Sequence, residues 1–543
     1  MKNIFFLLSI VVYLPFTGNA QTSPANKVNP LTGSQWNTGD NTANYYPIVG
    51  LFFGMNYWTA QTTSDNEDKI VYNYAASKIS GFRQTQQTSS KYEDYGAFAL
   101  MPMSDTLITD CNKRTASFEH YNEKAYPYYY RVRFDNGIVS EITPTERAAI
   151  MRFKYPYGGK SYLLLDVIKG KSKVEIIPVE RKIVGYCTNP NGELPENFAK
   201  YFVIKLLRQF NDYGTWHKNT IAQGQLTAEG DAVGAWIMLN LNANEIVTVE
   251  VTSSFISIEQ AEQNLAKELN YKTFETAKQE AQNRWETILK RIAIEGGTDD
   301  EQQLFYTCMY RALLFPRIQH EFDPSGNPVH YSFYDGKLYN RPMYNNNVLN
   351  GGYKAVKTLF DLLLPGLYQD VYDSYLNAIN EGKKNDTNSV HSQLCALAFA
   401  NSTNVYEQAY RQAYINKSQG MQKNIRSLLT GFTNSPSFKL SEESASWCIF
   451  SSIGLYPADS VFILGSPLFD KTTITFPDRK TFVISAEDNS PENVYVEKVF
   501  FNSNSTDYTK LHIPYNEIIN SDGTIHFIMS PAADTTLTRE API

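Results

Sequence analysis

Several features that mark common functional classes are scarce in this chain. Its five cysteines, Cys111, Cys187, Cys308, Cys395 and Cys448, lie far apart with no CxxC pair. That scatter argues against a zinc site or a dense disulfide framework and leaves a single bridge open. Positive charge is in deficit: 49 Lys and Arg face 56 Asp and Glu, for a net charge of -7. No basic stripe exists to neutralise phosphates, so a nucleic-acid partner is not expected. Long apolar runs are missing too. The one pronounced run, Ile4 to Phe16, follows Lys2 and closes on Gly18, Asn19 and Ala20. It is too short to cross a bilayer comfortably and reads as a secretory signal peptide over residues 1–20, with no transmembrane segment. No cysteine follows the expected cleavage point, so a lipid anchor is not indicated. The mature chain is expected outside the cytoplasm, whether secreted, periplasmic or at the cell surface.

What is present is apolar and aromatic material: 42% of residues are hydrophobic and 14% aromatic, with 37 Tyr. This suffices for large cores in two or more domains. Aromatic faces stack on sugars, but they also fill sheet cores, so the count alone is weak evidence for carbohydrate. Up to Phe255 the chain shows short alternating runs bounded by Gly, Pro, Asn and Asp, such as Tyr128 to Phe134, Ser161 to Ile168, Lys173 to Ile177 and Ile246 to Val251. These predict an antiparallel β-sandwich over 21–256. From Ser257 the period changes: Ile258, Ala261, Leu265 and Leu269, then Phe274, Ala277, Ala281 and Trp285, share helical faces. A helical linker is expected over 257–298, a helical domain over 299–457, and a C-terminal β region over 458–543. The fold class is therefore multidomain α and β.

Short motifs in a fixed order then resemble glycoside hydrolase family 92, the calcium-dependent, inverting exo-α-mannosidases of gut and soil Bacteroidetes. They include Val28 to Gly33, Phe53-Gly54-Met55, Gly81 to Thr85, Phe118 to Glu123, Glu141 to Thr145, Glu295 to Thr298, Tyr310 to Arg317, Val329 to Ser332 and Gly454 to Pro457. The resemblance implies a β-sandwich followed by an (α/α)6-type barrel. Because Tyr375 to Ala378 resembles a point well upstream in the family order, the barrel is expected to be reduced.

The resemblance also locates departures. An inverting glycosidase needs an acid and a base, both carboxyl groups. The family's acid falls at Asn388, within Thr387 to Ser392, and its base positions fall at Lys439 and Leu440, ahead of Trp447. Asn350, Gly351 and Gly352 stand where the family has a sugar-gripping Trp-Asp-Thr, and Asn44 and Gln86 where relatives carry His. Glu442 and Glu443 are the stand-in acids to weigh, although acids at a helix start are expected anyway for their interaction with the dipole. His391 matches a family position but reads more readily as a capped or packed helix-start residue than as a ligand. Glu119, His120 and Glu123 keep a family motif, either as a hydroxyl-binding cluster or as a strand junction. The catalytic set is thus none, with Glu442 and Glu443 as candidates, and the substrate-binding candidates are Glu119, His120, His391 and Trp447. The family's calcium ion needs converging oxygens; with so many acids replaced, no ligand set is assigned here. The resulting expectation is a mannosidase-like protein of carbohydrate metabolism, catalytically impaired, acting in mannoside or partner binding, with a protein partner covering the shortened helical domain. The alternative is an active exo-α-mannosidase or related α-glycosidase with a rearranged acid/base pair.

Overall fold

A computed structural model describes residues 23–36, 44–62, 71–89, 95–168, 170–188, 194–218, 220–345, 353–382, 434–438, 440, 442–458, 460–502, 504 and 506–532. The expected leader lies outside these residues, as does the part of the expected helical domain from 383 to 433.

Two antiparallel sheets form the N-terminal sandwich. One runs Tyr57–Gln61, Gly81–Thr85, Phe98–Ser104, Gly159–Val167, Val233–Leu241, Asp212–His217 and Thr220–Gln223 in spatial order. The other has nine strands, with Lys200–Leu206, Ile246–Ser254 and Ala148–Lys154 near its middle. Alternation decides which face turns inward. In Ser172–Ile177, Val174 and Ile176 are buried while Lys173 and Glu175 face outward, as the two-residue strand period requires. The longest strands carry the apolar layer between the sheets, including Leu163, Leu165, Val247, Val249 and Val251.

Helix α1, Ile258–Leu269, leaves the sandwich with Ser257 capping the Gln260 amide. Its buried stripe, Ala261, Leu265 and Leu269, lies on strand Ile246–Ser254. Each buried leucine there contributes roughly 1.5–3 kcal/mol. Helix α2, Phe274–Leu289, buries Trp285, whose indole N–H donates to the Gly50 carbonyl at 2.9 Å. The chain then enters the C-terminal sheet: Ile292–Glu295 pairs antiparallel with Lys471–Thr475. That sheet continues through Thr481–Glu487, Gly523–Ser530 and Tyr495–Phe501, with one parallel pair.

Helix α3, Asp299–Ala312, opens on a capping box of Thr298 and Glu301. Helices α4, Tyr353–Leu363, α5, Leu367–Asn380, and α6, Glu442–Ser452, complete the described helical region. α6 packs against both α3 and α4. The expected order of sandwich, few-helix region and C-terminal β region is what the structure contains.

Candidate functional site

The segment from Asn29 to Gln35 joins the two halves of the molecule. Asn29 anchors it by turning its Oδ1 onto the Leu31 amide at 3.1 Å, while its own backbone N–H donates to Thr307 of α3 at 2.9 Å. Arg311, also on α3 and 1% exposed, donates to the carbonyls of Tyr46, Pro30 and Thr32 at 2.9, 2.8 and 2.9 Å. The far side of the segment pairs with residues 434–440: the Gly33 amide donates to Ser435 O at 3.2 Å and Gln35 to Pro436 O at 2.8 Å. Gly33 has φ +79°, and a Cβ there would stand 2.8 Å from Phe438 O and 3.6 Å from Leu440 N. The left-handed backbone and the close approach both require glycine. Tyr45 bridges to Ser89, and the Tyr46 amide donates to Thr88 O, so the 86–89 loop of the sandwich reaches the same place.

Behind that loop lies a buried polar seam. Asn56 donates to Arg147 O at 2.6 Å and Ser253 Oγ at 2.9 Å, and its Oδ1 accepts from Gln84 at 2.9 Å and Gln86 at 3.3 Å. The fully buried Lys200 donates to the Gln84 side-chain oxygen, with its ammonium 5.7 Å from the Phe255 ring. Beside the seam, Phe255, Phe198, Tyr331 and Phe333 pack with Tyr95, which stacks on Phe333 at 4.7 Å. The seam's amides and the ammonium are sealed in the fold and satisfy one another, so the seam positions the junction from behind.

The junction's described carboxyls are occupied. Glu321 is fully buried: Oε1 accepts from Ser254 Oγ and the Phe255 amide, both at 2.9 Å, and Oε2 from Asn264 at 2.6 Å. Burial pushes its pKa up against those hydrogen bonds and the nearby Arg147. A raised carboxyl is what a general acid needs, yet this one has no exposed surface. Glu381, at the end of α5, takes His330 Nε2 at 3.0 Å and Arg341 Nη2 at 2.6 Å. Burial opposes its ionisation, but those two donors outweigh it and hold the carboxyl below the usual range. Elsewhere, Glu146 and Glu268 flank the cleft between residues 144–147 and helices α1 and α2, and Arg147 pairs with both at 3.0 Å.

The sequence-predicted residues separate widely in what surrounds them. Leu440, at one of the two positions expected to hold the base, is fully buried in the main apolar core. Lys439 lies outside the described residues, as do Asn388, His391, Asn350, Gly351 and Gly352. Glu442 and Glu443 are the first two residues of α6, and their side chains also lie outside the description. Trp447 is 1% exposed and packs 6.0 Å from Tyr456. Glu119 is exposed, whereas His120 and Glu123 come together in a closed network. Glu123 accepts from Tyr72 at 2.9 Å, Tyr130 at 2.6 Å and His120 Nδ1 at 2.7 Å, and His120 Nε2 meets Tyr74 O at 2.6 Å. Sequence reasoning did not single out Glu321, Arg311 or the His330–Glu381 pair as positioning groups. A buried polar residue within an apolar period was the only local signal available.

Among the described residues no group of three or more His, Cys, Asp or Glu side chains converges to hold a metal. The junction's amides and hydroxyls are neutral and sit beside Lys200, and its carboxyls Glu321 and Glu381 are held by internal donors, a poor fit to a hard dication that needs several charged oxygens. No helix among the described residues is long and apolar enough to cross a membrane.

Comparison with known proteins follows the same division of the chain. A model of the glycosyl hydrolase family 92 N-terminal domain matches residues 27–254, and one of the family's catalytic domain matches 260–440 and 413–531. A protein of Arthroderma benhamiae named as an uncharacterized secreted glycosidase is 24% identical over 330 residues, and the aligned part is 54% of this chain and 43% of that relative, so the chain spans less than half of its length. A family GH92 inverting mannosidase from Bacteroides thetaiotaomicron VPI-5482 superposes with a TM-score of 0.80 at 22% identity, covering 96% of this chain and 98% of that one. A GH92 α-mannosidase from Bacteroides thetaiotaomicron, in complex with mannoimidazole, gives 0.75 at 17% identity over 96% and 97%. At these identities the likeness to both mannosidases is one of fold.

Proposed function

The chain belongs to glycosyl hydrolase family 92, and from that footing we propose that it is an exported, mannoside-binding member that does not hydrolyse its ligand. The observation that carries this reading is Leu440, an isobutyl side chain with no exposed surface where the family resemblance calls for a carboxylate base. An inverting mechanism needs two carboxyl groups about 6.5–9.5 Å apart on opposite sides of the sugar. Glu321 and Glu381, the buried carboxyls of the junction, are already held by internal donors. Asn388 and Lys439 add an amide and an ammonium at the remaining positions, and neither can act as a carboxyl. Mannoside binding is supported by the likeness in fold to a GH92 α-mannosidase solved with mannoimidazole. Export is supported by the leader-like start and by the relative named as a secreted glycosidase. A protein partner over the helices gains nothing from the described surface, where Leu376 is the large apolar side chain exposed on α4 to α6.

The test is a panel of aryl and oligosaccharide α-mannosides, with and without calcium, read in parallel by product release and by titration calorimetry. Heat of binding without product is the expected result. Turnover that disappears in Glu442→Gln or Glu443→Gln would establish a rearranged active site and overturn the proposal.

A further inference from the structure

Cys308 and Cys448 are far apart in sequence but adjacent in the fold. Cys308 lies on α3 and Cys448 on α6, two helices packed side by side. Both residues are fully buried, and burial together with the Cys448 thiol pushes the Cys308 thiol pKa up, as a near neighbour on the packed helix would. Neither is disulfide-bonded in the structure. A free cysteine in a core behaves as a small apolar residue, so one alone would need no explanation. Two buried on neighbouring helices, in a chain whose start reads as an export leader, place a pair of oxidisable sulfurs where oxidising conditions act.

We propose that Cys308 and Cys448 form a disulfide in the exported protein, covalently fastening α6 to α3. In the step, each thiol gives up a proton and an electron, and the Sγ–Sγ bond forms. The electron pair passes to the disulfide of a thiol oxidoreductase in the export compartment, which leaves as a dithiol. Because both sulfurs are sealed in the folded core, exchange takes place before α6 has docked. The bridge closes a loop of about 140 residues, which confers a large entropic stabilisation on the chain-entropy model. It also holds α6, which follows the segment carrying Leu440, against the helix whose Arg311 grips the Pro30, Thr32 and Tyr46 carbonyls.

The experiment uses the full chain exported in its own leader-dependent way, with thiols blocked at harvest and counted in denaturant. Of the five cysteines, three should react before reduction and all five after it. Peptide mass spectrometry without reductant should find the Cys308 and Cys448 peptides joined, lighter by two hydrogens than their sum. Five reactive thiols in the unreduced protein, or either cysteine bridged elsewhere, would overturn the proposal. A second measurement guards against variants that fold poorly: reductant should lower the melting temperature of the wild type and leave that of a Cys308→Ala, Cys448→Ala variant unchanged. An equal drop in both would count against the bridge.

Discussion

His120 sits with each ring nitrogen against an acceptor, Nδ1 at 2.7 Å from the Glu123 carboxylate and Nε2 at 2.6 Å from the Tyr74 carbonyl. Two acceptors favour a ring with two donors, the imidazolium, here stacked 3.8 Å from the Tyr74 ring. Burial works against the charge, but the hydrogen bond and charge of Glu123, the Tyr74 carbonyl and Glu119 outweigh it, and the pKa is raised. A raised folded pKa means the stabilisation is present below the unfolded value of about 6.5 and is lost as pH rises through the folded value. Wild type minus His120→Gln should therefore show its largest gap in melting temperature on the acid side of about pH 6.5, closing toward alkaline pH. A gap independent of pH would show that the imidazolium contributes nothing. Leu440 makes the second argument at this scale. Placing a carboxylate in its sealed apolar position costs several kcal/mol unless a partner is supplied. Leu440→Asp should thus lower stability by about 3 kcal/mol or more in a denaturant titration and restore no mannoside turnover. Near-wild-type stability would mean that the pocket around residue 440 is wetter than its burial indicates.

The elements are held by contacts that local patterning does not encode. Thr298 and Glu301 form a capping box legible in the sequence as Thr-x-x-Glu, and the apolar stripes of α1 and α2 are legible in the same way. Arg311 is not, because its three carbonyl partners lie at Pro30, Thr32 and Tyr46, more than two hundred and fifty positions earlier. It occupies a polar slot in an otherwise apolar helix face, and only the fold shows why. Lysine is a point charge without the guanidinium fork, so Arg311→Lys should leave buried carbonyls unmet and cost about 2–4 kcal/mol in unfolding free energy. Gly33 is the matching position on the segment that α3 grips. Gly33→Ala would force a Cβ to 2.8 Å from Phe438 O at φ +79°, so residues 434–440 must shift. Weaker binding of mannosides together with a lower melting temperature is expected. Loss of stability with unchanged affinity would detach this segment from the binding site. The sequence offers the site only as a list of departures, at residues 388, 439 and 440, of which residue 440 alone is among the described residues. The site's engaged carboxyls were not legible, since Glu321 and Glu381 acquire their partners through tertiary packing.

At the scale of the molecule, the C-terminal β region depends on a strand contributed by the linker. Ile292–Glu295 lies along Lys471–Thr475, with Ile292 fully buried and Ile294 2% exposed. The helical region leans on the same unit: Phe305 of α3 packs edge-on to Phe469 at 5.4 Å, and Tyr515 donates to Asp361 of α4 at 2.6 Å. The expected boundary at residue 457 falls within the strand Leu455–Ala458, and because a non-local strand pairing leaves no local sequence signal, the two sides do not separate physically. Ending the chain at residue 457 would expose the Ile292–Glu295 edge and the aromatic face of α3, an unpaired strand next to uncovered apolar surface. Such a chain should partition to the insoluble fraction, and the intact protein should give one calorimetric transition that spans the helical and C-terminal regions. A soluble truncated chain that melts at the wild-type temperature would show instead that the strand pairing is dispensable and that the C-terminal sheet folds as an appended unit.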